Sequence, residues 1–116
     1  MIAIMVLMLC IVDFDNLKEQ VKKDLIYEIG DIIMGLYDDD INISTEDIDN
    51  VINKYKELLI NELKNNNIQF EIKNNQLIIY NCDEELTDLV EDVYYITVLA
   101  YALEFSYEKY GVLREV

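Results

Sequence analysis

The chain has 116 residues, of which 24 are acidic and 9 are basic, and it contains no His, Pro or Trp. This length fits one domain, residues 1–116, and leaves no room for a catalytic domain with an accessory one. A hydrophobic fraction of 53% excludes a disordered chain, which combines high charge with low hydrophobicity. A formal net charge of −15 argues against direct binding to nucleic acid, because phosphates require Lys and Arg. The lack of His removes the commonest general base and metal ligand.

The N-terminus is an apolar run from Met1 to Val12. A secretory signal needs a positive leading region and a small-residue cleavage site, and this run has neither. It is also shorter than the roughly twenty residues that span a bilayer. We therefore expect a buried strand or a core helix here and no membrane segment. The abundance of Ile and Asn with a single Arg indicates an AT-rich coding sequence, which favours a cytoplasmic bacterial or phage protein.

The chain has two cysteines, Cys10 and Cys82, which are too few for a disulfide scaffold. They can form a disulfide only if the fold brings them together. Unpaired cysteine otherwise behaves as a small buried hydrophobic residue. We expect two buried, unpaired cysteines, with a disulfide as the alternative.

Two helices are predicted in the first half of the chain. The first begins near Asp15 or Asn16, either of which can cap it. Its apolar face repeats at helical spacing through Leu17, Val21, Leu25, Ile29, Ile32, Ile33 and Leu36. The second helix begins at Ser44, which has the spacing of a capping box with Asp47, and it ends at residues 65–67.

A β-hairpin is predicted over residues 68–80, where apolar and polar side chains alternate on both sides of Asn74 and Asn75. Two Asn residues fit a type I′ turn because Asn tolerates a positive φ. This turn sets Leu77 opposite Ile72. An isolated hairpin is only marginally stable, so we expect the apolar N-terminal run to add a third strand.

The last helix is predicted to begin near residues 81–83 and to end at Tyr110, before the stop signal Gly111. From Val93 to Leu103 only Thr97 is not apolar. A helix that is apolar all round lies at the centre of a fold or in an interface. The predicted fold is therefore α+β, with about three helices, a small antiparallel sheet and the long C-terminal helix at its centre.

The acidic residues are concentrated in two stretches without a basic residue, 38–49 and 83–92, which carry twelve of the fifteen excess negative charges. The helix dipole favours acidic residues in a first turn, but it does not account for those in later turns. The remaining charge either keeps the protein soluble or binds a basic partner. The predicted partner-binding residues are Asp38, Asp39, Asp40, Glu46, Asp47, Asp49, Glu84, Asp88, Glu91 and Asp92.

No motif in the chain indicates a metal, a cofactor or catalysis. Four residues match positions 1, 3, 5 and 12 of an EF-hand calcium loop, namely Asp38, Asp40, Asn42 and Asp49. The match fails at Ile43, which stands where the loop needs Gly. There is no Gly-rich phosphate loop, no pairing of a nucleophile with His and no zinc-ligand spacing. We therefore expect no metal, no cofactor and no enzymatic activity.

Five of the nine tyrosines lie in the last helix. Tyr is enriched at protein interfaces, so Tyr94, Tyr101, Ile78 and Tyr80 are candidates to face a partner. Packing in the core is the alternative, and we favour it for each of these residues.

Small size, dense acidity and no catalytic motif make the chain similar to the acidic inhibitors that phages direct at nucleic-acid-handling defences, the DNA-mimic anti-CRISPR and antirestriction proteins. The resemblance implies a stoichiometric inhibitor whose carboxylates imitate phosphates in a basic groove. It rests on size and composition, so no residue role is carried over. The alternatives are an immunity protein that neutralises a basic toxin and a structural or adaptor protein that forms a homodimer. Whether the two acidic stretches share one face stays open.

Overall fold

The computed structural model describes residues 9–33 and 40–112. It has three helices and a small antiparallel sheet, which confirms the predicted α+β class with a long C-terminal helix. In chain order the elements are β1 (Cys10–Asp13), α1 (Lys18–Ile32), α2 (Thr45–Asn65), β2 (Phe70–Lys73), β3 (Gln76–Ile79) and α3 (Glu84–Tyr110).

The sheet confirms the predicted hairpin and its third strand. The strand order is β1-β3-β2, and both pairings are antiparallel. Leu77 of β3 lies opposite Ile72 on one side and Val12 on the other. Asn74 and Asn75 have φ values of 53° and 58°, as a type I′ turn requires. The third strand is formed by the end of the apolar run, and residues 1–8 lie outside the described residues.

The two faces of the sheet differ in burial because successive side chains of a strand point to opposite faces. Leu77 and Ile79 face the helices and are fully buried. Ile11 and Tyr80 lie on the opposite face and remain exposed, with 56% and 43% of their surface accessible. The outer face of the sheet is therefore open.

Helix α1 begins two to three residues later than predicted, at Lys18 rather than near Asp15 or Asn16. Its N-cap position, Leu17, has no side-chain cap. The carboxylate of Asp13 instead accepts hydrogen bonds from the backbone N–H groups of Asp15 and Asn16, at 3.2 and 3.4 Å. These residues therefore form the turn between β1 and α1 and do not cap the helix.

Helix α2 begins with the predicted capping box. The Ser44 hydroxyl accepts from the Asp47 backbone N–H at 3.1 Å, and the Asp47 carboxylate accepts from the Ser44 N–H at 3.0 Å. Two backbone donors at the helix start are thus satisfied by side chains.

Removing this cap is expected to destabilise the fold. We predict that Ser44→Ala lowers the free energy of unfolding by about 1 kcal/mol, because it leaves the Asp47 N–H without its partner. Urea denaturation measures the change. Thr45→Ala is the control, since Thr45 is exposed and lies one position inside the helix. Equal stability of the two variants would contradict the prediction.

Helix α3 lies at the centre of the fold, between α1 and α2. Its start and end are as predicted: Asp83 caps it by accepting from the Leu86 N–H at 2.8 Å, and Gly111 ends it with a φ of 67°. Val98 and Ala102, in its apolar second half, are buried in the core. Neighbouring core side chains come from all the packed elements and include Val12, Leu25, Ile29, Leu59, Leu63, Leu77 and Ile79.

Cys10 and Cys82 form a disulfide, so the expectation of two unpaired cysteines is wrong. Their Cα atoms are 5.6 Å apart, although 72 residues separate them in the chain. The bond joins β1 to the segment just before α3. Folding brings these two parts of the chain together. The hydroxyl of Thr87 lies 3.6 Å from both sulfurs.

This disulfide is expected to stabilise the fold by restricting the unfolded chain. For a closed loop of this length the chain-entropy model gives about 4 kcal/mol. We predict that a reductant lowers the midpoint of urea denaturation of the wild-type protein. The Cys10→Ser/Cys82→Ser double variant should match the reduced protein and should not respond to the reductant. A wild-type midpoint that is the same with and without reductant would rule out the bond.

Candidate functional site

The acidic residues at the start of α3 form one stripe. Each helical residue advances by about 100°, so these side chains fall within an arc of roughly 120°. All of them are exposed, and we call them the acidic stripe: Glu84, Glu85, Asp88, Glu91 and Asp92. The opposite side of this part of α3 carries Leu86, Leu89 and Val93, which pack against the core. These turns of α3 therefore have an acidic side and an apolar side.

No basic side chain neutralises the acidic stripe within residues 9–33 and 40–112. The ion pair found there joins Lys54 to Glu57 on the exposed surface of α2. Glu84 and Glu85 are in the first turn, where the helix dipole favours them. Asp88, Glu91 and Asp92 lie beyond that turn, and like charges at helical spacing cost roughly 0.2–0.5 kcal/mol per pair. The stripe thus carries a charge that the fold does not require.

The other predicted acidic segment is only partly free to bind a partner. Asp38 and Asp39 lie outside the described residues, whereas Asp40, Glu46 and Asp49 are exposed. Asp47 is used inside the fold, where it completes the capping box of α2. It also accepts a hydrogen bond from the Tyr101 hydroxyl of α3 at 2.7 Å.

The pKa of Asp47 reflects these contacts. Burial raises the pKa, but hydrogen bonds from the Ser44 backbone, the Tyr101 hydroxyl and the Ser44 hydroxyl outweigh it, and Lys109 adds a weaker attraction. The net pKa lies below the usual 3.8. Asp47 therefore stays ionised and ties the start of α2 to α3.

Asp47 and the acidic stripe lie at different positions along α3. Asp47 contacts Tyr101, whereas Asp88 lies thirteen residues earlier on the same helix. At a rise of 1.5 Å per residue, this separation is about 20 Å along the axis. Among the described residues, Asp47 is therefore separated from Asp88 along α3.

A polar groove lies beside the start of α2, where it faces the last turns of α3. Its volume is about 550 Å³, and its charged lining consists of Glu46, Asp47, Glu104, Glu108 and Lys109. Within the described part of the chain, no three acidic or cysteine side chains are arranged to hold a metal ion.

A second, largely apolar groove lies between β1, α1 and α3, next to the acidic stripe. It has a volume of about 510 Å³ and is lined by Ile11, Val12, Asp13, Asn16, Leu17, Gln20, Tyr55, Val90, Glu91, Tyr94 and Tyr95. We call it the edge groove because β1 is an edge strand of the sheet. In the part of the chain that the structure describes, its charged lining residues are Asp13 and Glu91, both acidic. Sequence reasoning missed this groove, since its lining comes from four separate elements, β1, α1, α2 and α3.

Tyrosine hydroxyls, rather than basic side chains, donate to several carboxylates. Tyr94 donates to Asp24 of α1, Tyr95 donates to Glu28 of α1 at 3.2 Å, and Tyr101 donates to Asp47. On the sheet, Tyr80 donates to Glu71 at 2.7 Å. Tyr94 and Tyr101 thus pack against the core, as expected from the sequence. Tyr80 is exposed.

These contacts raise the pKa of the tyrosines involved. Burial, followed by the hydrogen bond to Asp47, raises the pKa of Tyr101 to about 12. Burial and the bond to Asp24 raise the pKa of Tyr94 well above its usual 10.0, and burial alone does so for Tyr55.

Raised tyrosine pKa values make stability depend on alkaline pH. Above pH 10 the unfolded chain loses these protons before the folded chain does, so the free energy of unfolding falls as the pH rises towards 12. We predict a shallower fall for Tyr101→Phe, which removes one such group, in urea denaturation between pH 8 and 11.5. Tyr107 is exposed, so the free energy of unfolding of Tyr107→Phe should fall as steeply with pH as that of wild type. The same dependence of the free energy of unfolding on pH for both variants would contradict the raised pKa of Tyr101.

Comparison of the chain with protein-family models, with curated proteins and with solved structures finds no match. Of the helices within residues 9–33 and 40–112, none is both long enough and apolar enough to cross a membrane. We therefore infer function from the charges and contacts of the fold itself.

Proposed function

We propose that this protein is a non-enzymatic acidic inhibitor that binds the basic nucleic-acid-binding surface of a defence nuclease or CRISPR effector. The observation that carries the proposal is the acidic stripe of α3, which is exposed and lacks a basic partner in the described ranges. A charge that the fold does not neutralise is available to a partner. Because such charges attract an oppositely charged surface over long range, they also speed the encounter.

The spacing of the stripe supports phosphate mimicry. Its five carboxylates lie within about 12 Å of helix axis, or one charge per roughly 2.4 Å. Duplex DNA carries one charge per about 1.7 Å. A surface that binds duplex phosphates therefore meets a comparable charge density on α3. The helix also fixes the backbone of these residues before binding, so only their side chains have to be ordered.

The test begins with capture of binding proteins from a bacterial host lysate on the immobilised full chain. We predict that a captured protein also binds nucleic acid and that duplex DNA displaces it from the chain. Binding should weaken between low and moderate salt, because the contact is electrostatic. The identity of the captured protein separates a defence nuclease or CRISPR effector from a basic toxin, the target in the alternative immunity role.

Two triple variants show whether the stripe carries the binding. We expect Asp88→Asn/Glu91→Gln/Asp92→Asn to weaken affinity at least about tenfold, or roughly 1.4 kcal/mol. The control Glu19→Gln/Glu57→Gln/Glu108→Gln removes the same charge from exposed sites elsewhere and should bind like wild type. The stripe variant should fold normally, since it relieves like-charge repulsion. If it binds as tightly as the control, or if DNA does not compete, the proposal is wrong.

A further inference from the structure

Within residues 9–33 and 40–112, no strand pairs with the outer edge of β1, which therefore presents unpaired backbone groups. The Phe14 N–H donates to the Asn75 carbonyl at 3.2 Å, in the same register that pairs β1 with β3. In an antiparallel ladder, hydrogen-bonded and non-hydrogen-bonded pairs alternate along the strand. Ile11 and Asp13 therefore belong to non-hydrogen-bonded pairs. Their backbone N–H and C=O groups point away from β3, towards the open edge of the sheet.

The edge groove lies alongside these groups. Leu17, just before α1, and Val90 and Tyr94 of α3 form part of its apolar wall. Ile11 and Tyr95 border it with 56% and 55% of their surface exposed. A row of free backbone groups beside an apolar groove is the arrangement to which an added strand binds: the backbone supplies hydrogen bonds, and the groove takes alternate side chains.

Charge decides which strand the edge groove favours. The charged side chains of its lining are Asp13 and Glu91, and Glu91 also belongs to the acidic stripe. A second copy of the chain would bring a further net charge of −15 to the same place. A segment that carries Lys or Arg is attracted instead.

We propose that the edge groove binds an extended basic segment of the partner, which pairs with the edge of β1 through Ile11 and Asp13. An apolar side chain of that segment lies against Leu17, Val90 and Tyr94, and its basic side chains face Glu91 and the rest of the acidic stripe. This proposal rests on the proposed function in one respect, since it takes the partner to be basic.

One substitution separates backbone pairing from side-chain contact. Ile11→Pro removes the N–H that points to the free edge and leaves the hydrogen bonds to β3 in place, a position at which an edge strand tolerates Pro. Ile11→Ala is the matched control, because it removes the side chain and keeps the N–H. Circular dichroism and urea denaturation establish that both variants fold.

The probe is a capped seven-residue peptide of alternating Lys and Val, titrated into labelled protein and followed by nuclear magnetic resonance. We expect the largest shifts at the backbone amides of Ile11 and Asp13, and at least tenfold weaker binding by Ile11→Pro than by Ile11→Ala. The matching peptide of Glu and Val should not bind. The Lys peptide with N-methylated backbone amides should lose at least tenfold in affinity for the wild-type protein, which tests pairing without any change to the fold.

Several results would overturn the proposal. Equal binding by the proline and alanine variants, or by the N-methylated and unmodified peptides, excludes pairing along the edge. Equal binding of the Glu peptide excludes a basic occupant. A wild-type dimer in sedimentation that Ile11→Pro abolishes assigns the edge to a second copy. If the Lys peptide shifts only the resonances of the acidic stripe, the edge proposal fails and the proposed function stands. If the peptide binds the edge but no nucleic-acid-binding protein is captured, the proposed function fails and the edge proposal stands.

Discussion

Burial of the apolar second half of α3 is the interaction on which the rest of the fold depends. Val98 and Ala102 lie in a core to which both other helices and the sheet contribute. α1 and α2 cover the side of α3 that carries Val98 and Ala102, whereas Tyr95 and Ile96 remain 55% and 61% exposed. In the first turns of α3 only the side that carries Leu86, Leu89 and Val93 is covered. The acidic stripe is what remains open.

The balance of charges imposes a second constraint. With nine basic residues for twenty-four acidic ones, few carboxylates can form ion pairs. Tyr94 and Tyr101 donate hydroxyl hydrogen bonds to Asp24 and Asp47, and these bonds join α1 and α2 to α3. Such contacts leave the acidic charge in place while they satisfy its hydrogen bonding. The protein thus keeps a strongly negative surface without leaving its interhelical carboxylates unpartnered.

Features that depend on neighbouring residues could be predicted from the sequence. Contacts between residues far apart in the chain could not. The capping box at Ser44, the Asn74–Asn75 turn and the Gly111 stop each depend on a few neighbouring residues, and the structure has all three. The Cys10–Cys82 disulfide depends on β1 lying beside the segment before α3, and no local pattern reports that. Asp15 or Asn16 was expected to cap the first helix, but their N–H groups instead donate to the Asp13 carboxylate in the turn before α1.

The two parts of the candidate site also differ in how far the sequence predicts them. The spacing of Asp88, Glu91 and Asp92 places them on one helix face, so the sequence was sufficient to find the acidic stripe. The edge groove could not be predicted in this way, because it forms only when β1, α1, α2 and α3 pack together. Glu91 belongs to both surfaces, so the charged row and the apolar groove are continuous. In the proposed complex the stripe attracts the partner from a distance, where salt screens it, and the groove and the β1 edge hold the partner by contacts that salt affects little. Salt is therefore expected to slow association far more than it speeds dissociation. Neither surface alone would both attract the partner and hold it.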